Sequence, residues 1–211
     1  MYNPPAFQEN RLETLHAAIA AAPLANLIAY REGDGLLASP VPLMLDPEPA
    51  PFGTLIGHLA RGNPLAAAEG AMALAIFMGP DAYITPSWYA TKRATGRVVP
   101  TWNYVTLHAH GTLRFFDDPS RLLALVRRLT ERHERQRAAP WAVGDAPADF
   151  IAGQLKGIVG FVLPIERLEG KWKMSQNRPE EDRAGVVEGL KAEGRADVAA
   201  LIGPPSQNRA P

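Results

Sequence analysis

Hydrophobic residues recur with a helical period in two long stretches of the chain. Near the N-terminus, apolar positions three and four residues apart predict a helix over residues 8–22, which Pro23 ends. A second stripe predicts the clearest helix, residues 118–137, with Asp118 as N-cap and Pro119 in the first turn. The pattern also predicts shorter helices at residues 63–69 and 147–156 and in the last forty residues, with a break at Gly194.

Between these helices the apolar residues form short runs separated by Gly and Pro turns, which is typical of β-strands. Pro40 and Pro42 cannot donate to a ladder, so their strand is expected at a sheet edge or against a ligand or partner. Strand and helix do not alternate steadily, which favours a closed or nearly closed antiparallel barrel with helices around it. The predicted strands are residues 24–30, 36–45, 54–60, 72–78, 104–116 and 158–168.

Composition narrows the class of protein. With 211 residues, a single domain over residues 1–203 and a mobile tail over 204–211 are expected. Lys plus Arg and Asp plus Glu are 22 each, and this balance does not support a broad electrostatic grip on nucleic acid. The absence of cysteine excludes disulfides, thiolate catalysis and thiolate zinc sites. No leader pattern or apolar run of ~20 residues appears, so a cytoplasmic protein without membrane spans is expected.

Common catalytic signatures are absent from the sequence. The Rossmann glycine pattern, the P-loop, the G-x-S-x-G elbow and H-E-x-x-H do not occur, and no protein nucleophile or general base stands out. His108 and His110 alternate on one strand and share a face, as two metal ligands would. Because neither has a neighbouring acid to orient its ring, no metal site is predicted.

Two segments carry residues suited to an anion. In the segment 57–64, Arg61 and Asn63 stand at the entrance of a predicted helix, where backbone N–H groups and a guanidinium favour anions. A plain helix cap with a surface arginine is the alternative. In the segment 168–178, Lys171 and Lys173 alternate with Ser175, which suits a phosphate or, alternatively, a solvated basic turn.

A third segment is rich in aromatic residues. Residues 79–104 hold two Trp and three Tyr together with several small hydroxyl side chains. Flat rings offer apolar slabs to a planar ligand, and their polar tips fix its orientation. Dimer interfaces use the same residue types. The two interpretations are compatible if the ligand lies between subunits.

Taken in order and spacing, the motifs HLARGNP, GPDAYITPSWY, VPTWNY and EGKWKMSQNR, with the opening MYNPPAF, resemble the PaiB-like family of FMN-binding negative transcriptional regulators. The resemblance runs from Met1 to about Leu190. Three positions depart conservatively from the usual patterns, namely Gly62 where Ala is common, Thr85 where Ser is common and Met174 where Leu is common.

The resemblance implies a mainly β, α+β fold, an FMN-binding split β-barrel related to pyridoxamine-phosphate-oxidase-like flavoproteins. It also implies a homodimer with FMN at the subunit interface. Arg61 and Lys173 are then the candidates for phosphate charge, and Trp88 and Trp102 flank the isoalloxazine or bury the dimer seam. The family's motif positions fall on Arg61, Asn63, Ser87, Trp88, Tyr89, Thr101, Trp102, Asn103, Lys173, Ser175 and Gln176.

Three functions follow as hypotheses. The first is an FMN-binding flavoprotein, acting as a flavin-dependent reductase or a regulatory sensor. The second is a transcriptional repressor without catalytic activity, acting through DNA or a partner. The third is a haem-handling relative, which needs a His placed as axial ligand, and no motif places one.

Four arginines of helix 118–137 form a stripe that could meet DNA phosphates, but such stripes are more often solvated, and the balanced charge argues against direct DNA binding. The stripe consists of Arg121, Arg128, Arg132 and Arg135.

Overall fold

The computed structural model describes residues 1–49 and 51–203. The predicted mobile tail, residues 204–211, lies outside the described residues. Nine strands dominate the described chain. They are β1 (Gln8–Glu9), β2 (Leu24–Arg31), β3 (Gly35–Pro42), β4 (Met44–Asp46), β5 (Thr54–Ala60), β6 (Met72–Ile84), β7 (Thr101–Thr112), β8 (Arg114–Phe116) and β9 (Ile158–Lys173).

The predicted helices are present with shorter bounds, except that the one predicted over 63–69 is a single 3₁₀ turn, and an unpredicted short helix forms at Ala90–Thr95. The predicted helix 8–22 begins only at Leu12, because Gln8 and Glu9 pair with β9 as a strand. Single 3₁₀ turns form at Pro5–Phe7, Pro64–Ala67, Pro86–Trp88 and Val143–Asp145. The α-helices are α1 (Leu12–Ala21), α2 (Ala90–Thr95), α3 (Pro119–Glu134), α4 (Ala148–Leu155), α5 (Glu180–Ala192) and α6 (Ala196–Ala199).

Hydrogen bonds join the strands in the order β3-β2-β6-β7-β9-β5-β4, and β1 and β8 also pair with β9. The β2–β3, β2–β6, β4–β5 and β5–β9 pairs are antiparallel. β3 lies at one end of this order, so Pro40 and Pro42 are on an edge strand, as predicted. Pro42 pairs with Leu24, and Pro40 pairs with Asn26.

The chain divides into two compact units. Of the described residues, the first contains 1–18, 78–107 and 169–203, and the second contains 19–49, 51–77 and 108–168. The sequence-based expectation of a single domain over 1–203 stays a prediction. Buried apolar side chains fill each unit, including Tyr89, Val186 and Leu190 in the first unit and Leu27 and Phe161 in the second.

Helix α3 has the N-cap and the apolar stripe that its sequence predicts. Asp118 accepts a hydrogen bond from the Arg121 backbone N–H at 2.8 Å, which caps the helix as predicted. Leu125 and Leu129 form a buried cluster with Met44. This stripe docks α3 on the second unit and leaves its arginine-rich side outward.

Among the described residues, no helix is long and apolar enough to cross a membrane.

Candidate functional site

The structure divides the predicted site residues between the two units. Arg61 and Asn63 lie in the second unit, after β5. The other nine lie in the first unit, on the 3₁₀ turn 86–88, at the start of β7 and around the end of β9. These nine are Ser87, Trp88, Tyr89, Thr101, Trp102, Asn103, Lys173, Ser175 and Gln176.

Lys173 is the last residue of β9 and the centre of the first-unit group. Its ammonium donates to the Thr101 hydroxyl at 2.5 Å and to the Trp102 backbone oxygen. Burial lowers the pKa of Lys173, and the positive charges of Lys171 and Arg178 lower it further. A half-buried cation whose neighbours are cations is stabilised by an arriving anion.

Ser175 and Asn103 form a buried polar pair beside this ammonium. The Asn103 side-chain amide donates to the Ser175 hydroxyl at 3.0 Å, and both side chains are almost fully buried. Ser175 has a φ of 62°, a left-handed conformation that costs a non-glycine residue about 1–3 kcal/mol. Such strain is typical of functional sites, and here the bond to Asn103 holds the bend that follows β9.

A small polar cavity of about 60 Å³ opens between these side chains. It is large enough for a few water molecules or one tetrahedral anion, and too small for a whole flavin. All six lining side chains can donate a hydrogen bond, and two of them are cations. They belong to Thr101, Asn103, Lys173, Ser175, Asn177 and Arg178.

Arg178 is the second cation of the cavity, and the predicted site residues did not include it. Its guanidinium lies over the Tyr89 ring, 4.7 Å from the centroid, which fixes its position. Tyr89 is fully buried, and burial raises its pKa against the lowering effect of Arg178. The Tyr89 hydroxyl makes no hydrogen bond of ordinary geometry within the described residues. The signal for Arg178 was its charge at the end of the motif EGKWKMSQNR.

Asp182 was also not among the predicted site residues. Its carboxylate is 1% exposed and accepts a hydrogen bond from the Thr91 backbone N–H at 2.9 Å, which anchors the start of α2. In the sequence it is one of three acids opening a helix, a pattern that the helix dipole alone explains. No sequence signal separates it from Glu180 and Glu181.

Lys171 does not line the cavity, although it alternates with Lys173. Its ammonium donates to the Tyr2 backbone oxygen at 3.0 Å. The rings of Tyr2 and Tyr104 also face it, with centroids at 5.6 and 5.2 Å. Lys171 is therefore satisfied within the first unit and acts on Lys173 only through its charge.

The two predicted tryptophans have different surroundings. Trp88 packs on α5, where a Cβ added at Gly189 would approach its indole ring to 2.3 Å. Trp102 is 53% exposed and meets Tyr83 edge to face, with centroids 5.9 Å apart. Thr101 and Asn103 line the cavity, so the alternation of a strand turns Trp102 to the opposite face.

Ser87 and Gln176 are occupied by local contacts. The Ser87 hydroxyl accepts from the Lys92 ammonium at 3.1 Å. The Gln176 amide accepts from the Met174 backbone N–H at 2.7 Å and donates to the Trp172 carbonyl at 2.5 Å. These bonds close the turn that carries Ser175.

In the second unit, Asn63 accepts a hydrogen bond from the Leu65 N–H at 3.0 Å and caps the 3₁₀ turn at 64–67. Arg61 donates from Nε to the Lys156 carbonyl at 2.9 Å, and its Nη2 lies 3.7 Å from the Asp117 carboxylate. The plain cap that the sequence left as an alternative is therefore present. The assignment of Arg61 to phosphate stays a prediction.

Three of the four arginines in the α3 stripe have partners within the second unit. Arg128 pairs with Asp46 at 2.5 Å, and Arg132 donates to the Ala20 carbonyl at 2.7 Å. Arg121 lies 3.8 Å over the Phe116 ring centroid. These contacts engage three arginines of the stripe within the chain, which does not favour a phosphate-binding role for the stripe.

The two strand histidines lie in the second unit, with ring centroids 6.2 Å apart. The Arg167 guanidinium lies 3.1 Å from His110 Nδ1. A guanidinium at that nitrogen opposes the binding of a metal cation there. The expectation of no metal site stays a prediction.

Comparison with known proteins adds to this geometry. Residues 1–167 match the family described as "Putative FMN-binding domain". The protein "Protease synthase and sporulation protein PAI 2" of Bacillus subtilis is 30% identical over 92% of this chain and 90% of its own. An uncharacterized protein of Emericella nidulans is 36% identical over 73% of this chain and 74% of its own.

Two solved structures share the fold at low identity. The FAD and heme binding protein from Mycobacterium smegmatis aligns with a TM-score of 0.57 at 20% identity, covering 84% of this chain and 78% of that one. The flavocytochrome Anf3 from Azotobacter vinelandii aligns with a TM-score of 0.56 at 15% identity, covering 84% and 75%. The mainly β, α+β fold of the split-barrel type is thus confirmed.

The side chains that line the cavity beside Lys173 suit the phosphate group of FMN. Its donors, an ammonium, a guanidinium, hydroxyls and amides, are those that bind a phosphate, and the charges of its two cations are not balanced by an acid lining it. The family match covers more than half of the chain, and the Bacillus relative covers nearly all of it. The chain therefore belongs to the FMN-binding domain family that includes the PaiB-like proteins, and its cofactor is FMN.

Proposed function

We propose that the protein is a homodimeric flavoprotein that holds the FMN phosphate in the Lys173 cavity and works as an FMN-dependent oxidoreductase or redox sensor. The observation that carries the proposal is the cavity itself, in which two cations and four neutral donors converge. A phosphate dianion would accept from both cations and relieve their mutual repulsion.

The chain's own residues bind and orient the cofactor. Lys173 and Arg178 supply charge, and the Asn103–Ser175 pair keeps the cavity wall rigid. The bound flavin would supply the redox chemistry. Because the cavity admits only the phosphate, the isoalloxazine must lie outside it.

The dimer is proposed from the exposed aromatic surface of the first unit. Tyr83 and Trp102 are half exposed and stacked edge to face, and Val99 is 65% exposed. Aromatic residues with polar tips are typical of interface cores. The opposite facing of Trp102 and the cavity donors favours the dimer seam, rather than the flavin ring, as the role of Trp102.

If the protein has a regulatory role, this proposal makes it a redox sensor and not a DNA-binding protein. Direct DNA binding through α3 is opposed by the internal partners of Arg121, Arg128 and Arg132 and by the balanced net charge. If the protein is a repressor, it would then act through a partner protein.

The test is the visible absorption spectrum of the purified protein before and after addition of FMN and desalting. Flavin bands that persist through desalting, with free FMN released on denaturation, are expected. A protein that stays colourless after loading would contradict the proposal. Reduction of the bound flavin by NADH or NADPH, followed at the same bands, would distinguish a reductase from a sensor.

A further inference from the structure

A long apolar groove lies in the second unit and shares no residue with the Lys173 cavity. It runs between α3, α4 and the connecting segment 140–146, as two cavities of about 450 and 470 Å³. The two cavities share Arg127, Val143 and Gly144 in their walls. Each has the volume typical of a small-molecule site, ~300–1,000 Å³.

The groove is left open because α4 packs loosely. Among its residues none is buried, and Phe150 is 55% exposed. Ile151 and Leu155 are half buried and face the groove, with Leu123 of α3 also in its wall. The chain's own side chains therefore leave apolar surface that a ligand could cover.

Arg127 is the one charged residue lining the cavity between α3 and α4. It makes no hydrogen bond or ion pair with the described residues, whereas Arg121, Arg128 and Arg132 of the same helix all have partners. A free guanidinium at the junction of two apolar cavities is complementary to a carboxylate, which it binds with two parallel hydrogen bonds.

The neighbouring cavity limits the charge of the ligand. Glu131 and Glu134 line it, and Glu134 is shared between the Arg137 guanidinium at 3.0 Å and the Trp141 N–H at 3.1 Å. Arg135 lines this cavity as well, so the two acids balance the charges of Arg127 and Arg135 and leave no net positive charge for a second anion. A monocarboxylate therefore fits the groove better than a phosphate or a dicarboxylate.

We propose that this groove binds a small amphipathic monocarboxylate of the fatty-acid class. Its carboxylate pairs with Arg127, and its aliphatic chain lies between Leu123 and Ile151. The groove shares no residue with the proposed phosphate cavity, so it would serve as an effector site. Trp141 lines the adjacent cavity and reports on occupancy through its fluorescence.

The probe is decanoate, below its micellar concentration, titrated into the full chain by calorimetry and tryptophan fluorescence. One site per chain is expected. Decanol, which has the same tail without the charge, and acetate, which has the charge without the tail, should each bind at least about tenfold more weakly. Sebacate, a dicarboxylate of the same length, should also bind more weakly.

Two variants locate the site. Arg127→Gln should weaken decanoate binding about tenfold or more and leave decanol unchanged, while Arg93→Gln, an exposed arginine of α2, should change neither. Ala152→Leu should block the groove and remove binding, and circular dichroism verifies its folding. FMN binding should be unaffected in Arg127→Gln.

Equal binding of decanoate and decanol, an unchanged affinity in Arg127→Gln, or no saturable binding of decanoate would overturn the proposal. If Ala152→Leu does not fold, the decanol comparison and Arg127→Gln decide the question without it.

Discussion

At the residue scale, the ammonium of Lys173 is the centre of the candidate phosphate site. It lies between Thr101, the Trp102 carbonyl and the charge of Arg178, and burial with like charges lowers its pKa. The group is thus closer to losing its proton than an exposed lysine, and a bound phosphate would raise its pKa again. Phosphate binding and proton binding at Lys173 are therefore coupled.

This coupling predicts how FMN affinity depends on pH. Once the pH exceeds the lowered pKa of free Lys173, binding requires proton uptake, so FMN affinity should fall with rising pH at values below 10.5. In Lys173→Arg the guanidinium stays charged, and the fall should disappear. Fluorescence titrations of FMN from pH 7 upward measure both. A fall of equal size in Lys173→Arg would assign the titration to another group.

Arg61 provides a separate prediction from the motif HLARGNP. Its partners, the Lys156 carbonyl and Asp117, leave its side chain 47% exposed. If it also meets the phosphate, Arg61→Ala should weaken FMN binding by about 1.5–3 kcal/mol, the cost of a lost charge-assisted hydrogen bond. Arg93→Ala is the control, since it removes an exposed arginine of α2 outside the candidate site. Unchanged FMN affinity in Arg61→Ala would remove Arg61 from the site.

The sequence predicted which residues lie around one cavity better than it predicted their hydrogen-bond partners. Lys173, Thr101, Asn103 and Ser175 were named from motifs, and the structure brings them around one cavity. The role of Asp182 was invisible, because its bond to the Thr91 backbone depends on how α2 and α5 pack. Pairings of this kind form through the fold and leave no local pattern.

At the element scale, α5 forms a platform for the turn 86–88. Gly185 and Gly189, one helical turn apart, let the backbone and the indole of Trp88 approach the helix closely. A Cβ at Gly185 would lie 2.0 Å from the Trp88 carbonyl oxygen. The ring of Trp88 packs on α5, and the flavin or interface role that the sequence suggested for it stays a prediction.

This packing predicts opposite effects for two glycine substitutions. Gly189→Ala should lower the free energy of unfolding by about 1–3 kcal/mol, because the methyl group overlaps the Trp88 ring. Gly153→Ala in α4 meets open space and should raise it by about 0.5–1 kcal/mol through helix propensity. Urea denaturation measures both. Equal effects would show that Trp88 does not rest on α5.

Two strands, β6 and β9, continue well past their predicted ends, while the predicted strands 36–45 and 104–116 are each divided into two. The strand predicted to end at Met78 continues through Gly79 and Pro80 to Ile84. β2 pairs with β6 only along Ala73–Ile76, so the missing N–H of Pro80 breaks no bond to β2. A proline stops a strand only where the ladder needs its N–H, which the sequence alone does not reveal.

At the scale of the whole molecule, the balanced charge bears on the proposed homodimer. The 22 basic and 22 acidic residues give no net charge, so long-range repulsion between copies is weak. Charge therefore does not oppose a homodimer, and the arginines of α3 are largely used inside the chain.

The dimer proposal predicts a monomer on disruption of the aromatic surface. Trp102→Glu places a charge at the centre of the proposed seam and should convert a dimer to a monomer in sedimentation equilibrium. Tyr30→Glu, at a residue of the second unit that is 62% exposed, should leave the dimer intact. A wild-type protein that sediments as a monomer, or a Trp102→Glu variant that remains dimeric, would remove Trp102 from an interface.

The most direct measurement compares FMN with riboflavin, which lacks the phosphate, on the wild type and on Lys173→Ala. Wild type should bind FMN more tightly than riboflavin, and Lys173→Ala should lose about 1.5–3 kcal/mol of that difference while its riboflavin affinity stays the same. Lys191→Ala, an exposed lysine of α5, should retain the full difference. If wild type binds the two flavins equally, or if Lys173→Ala keeps the preference for FMN, the phosphate does not lie at Lys173.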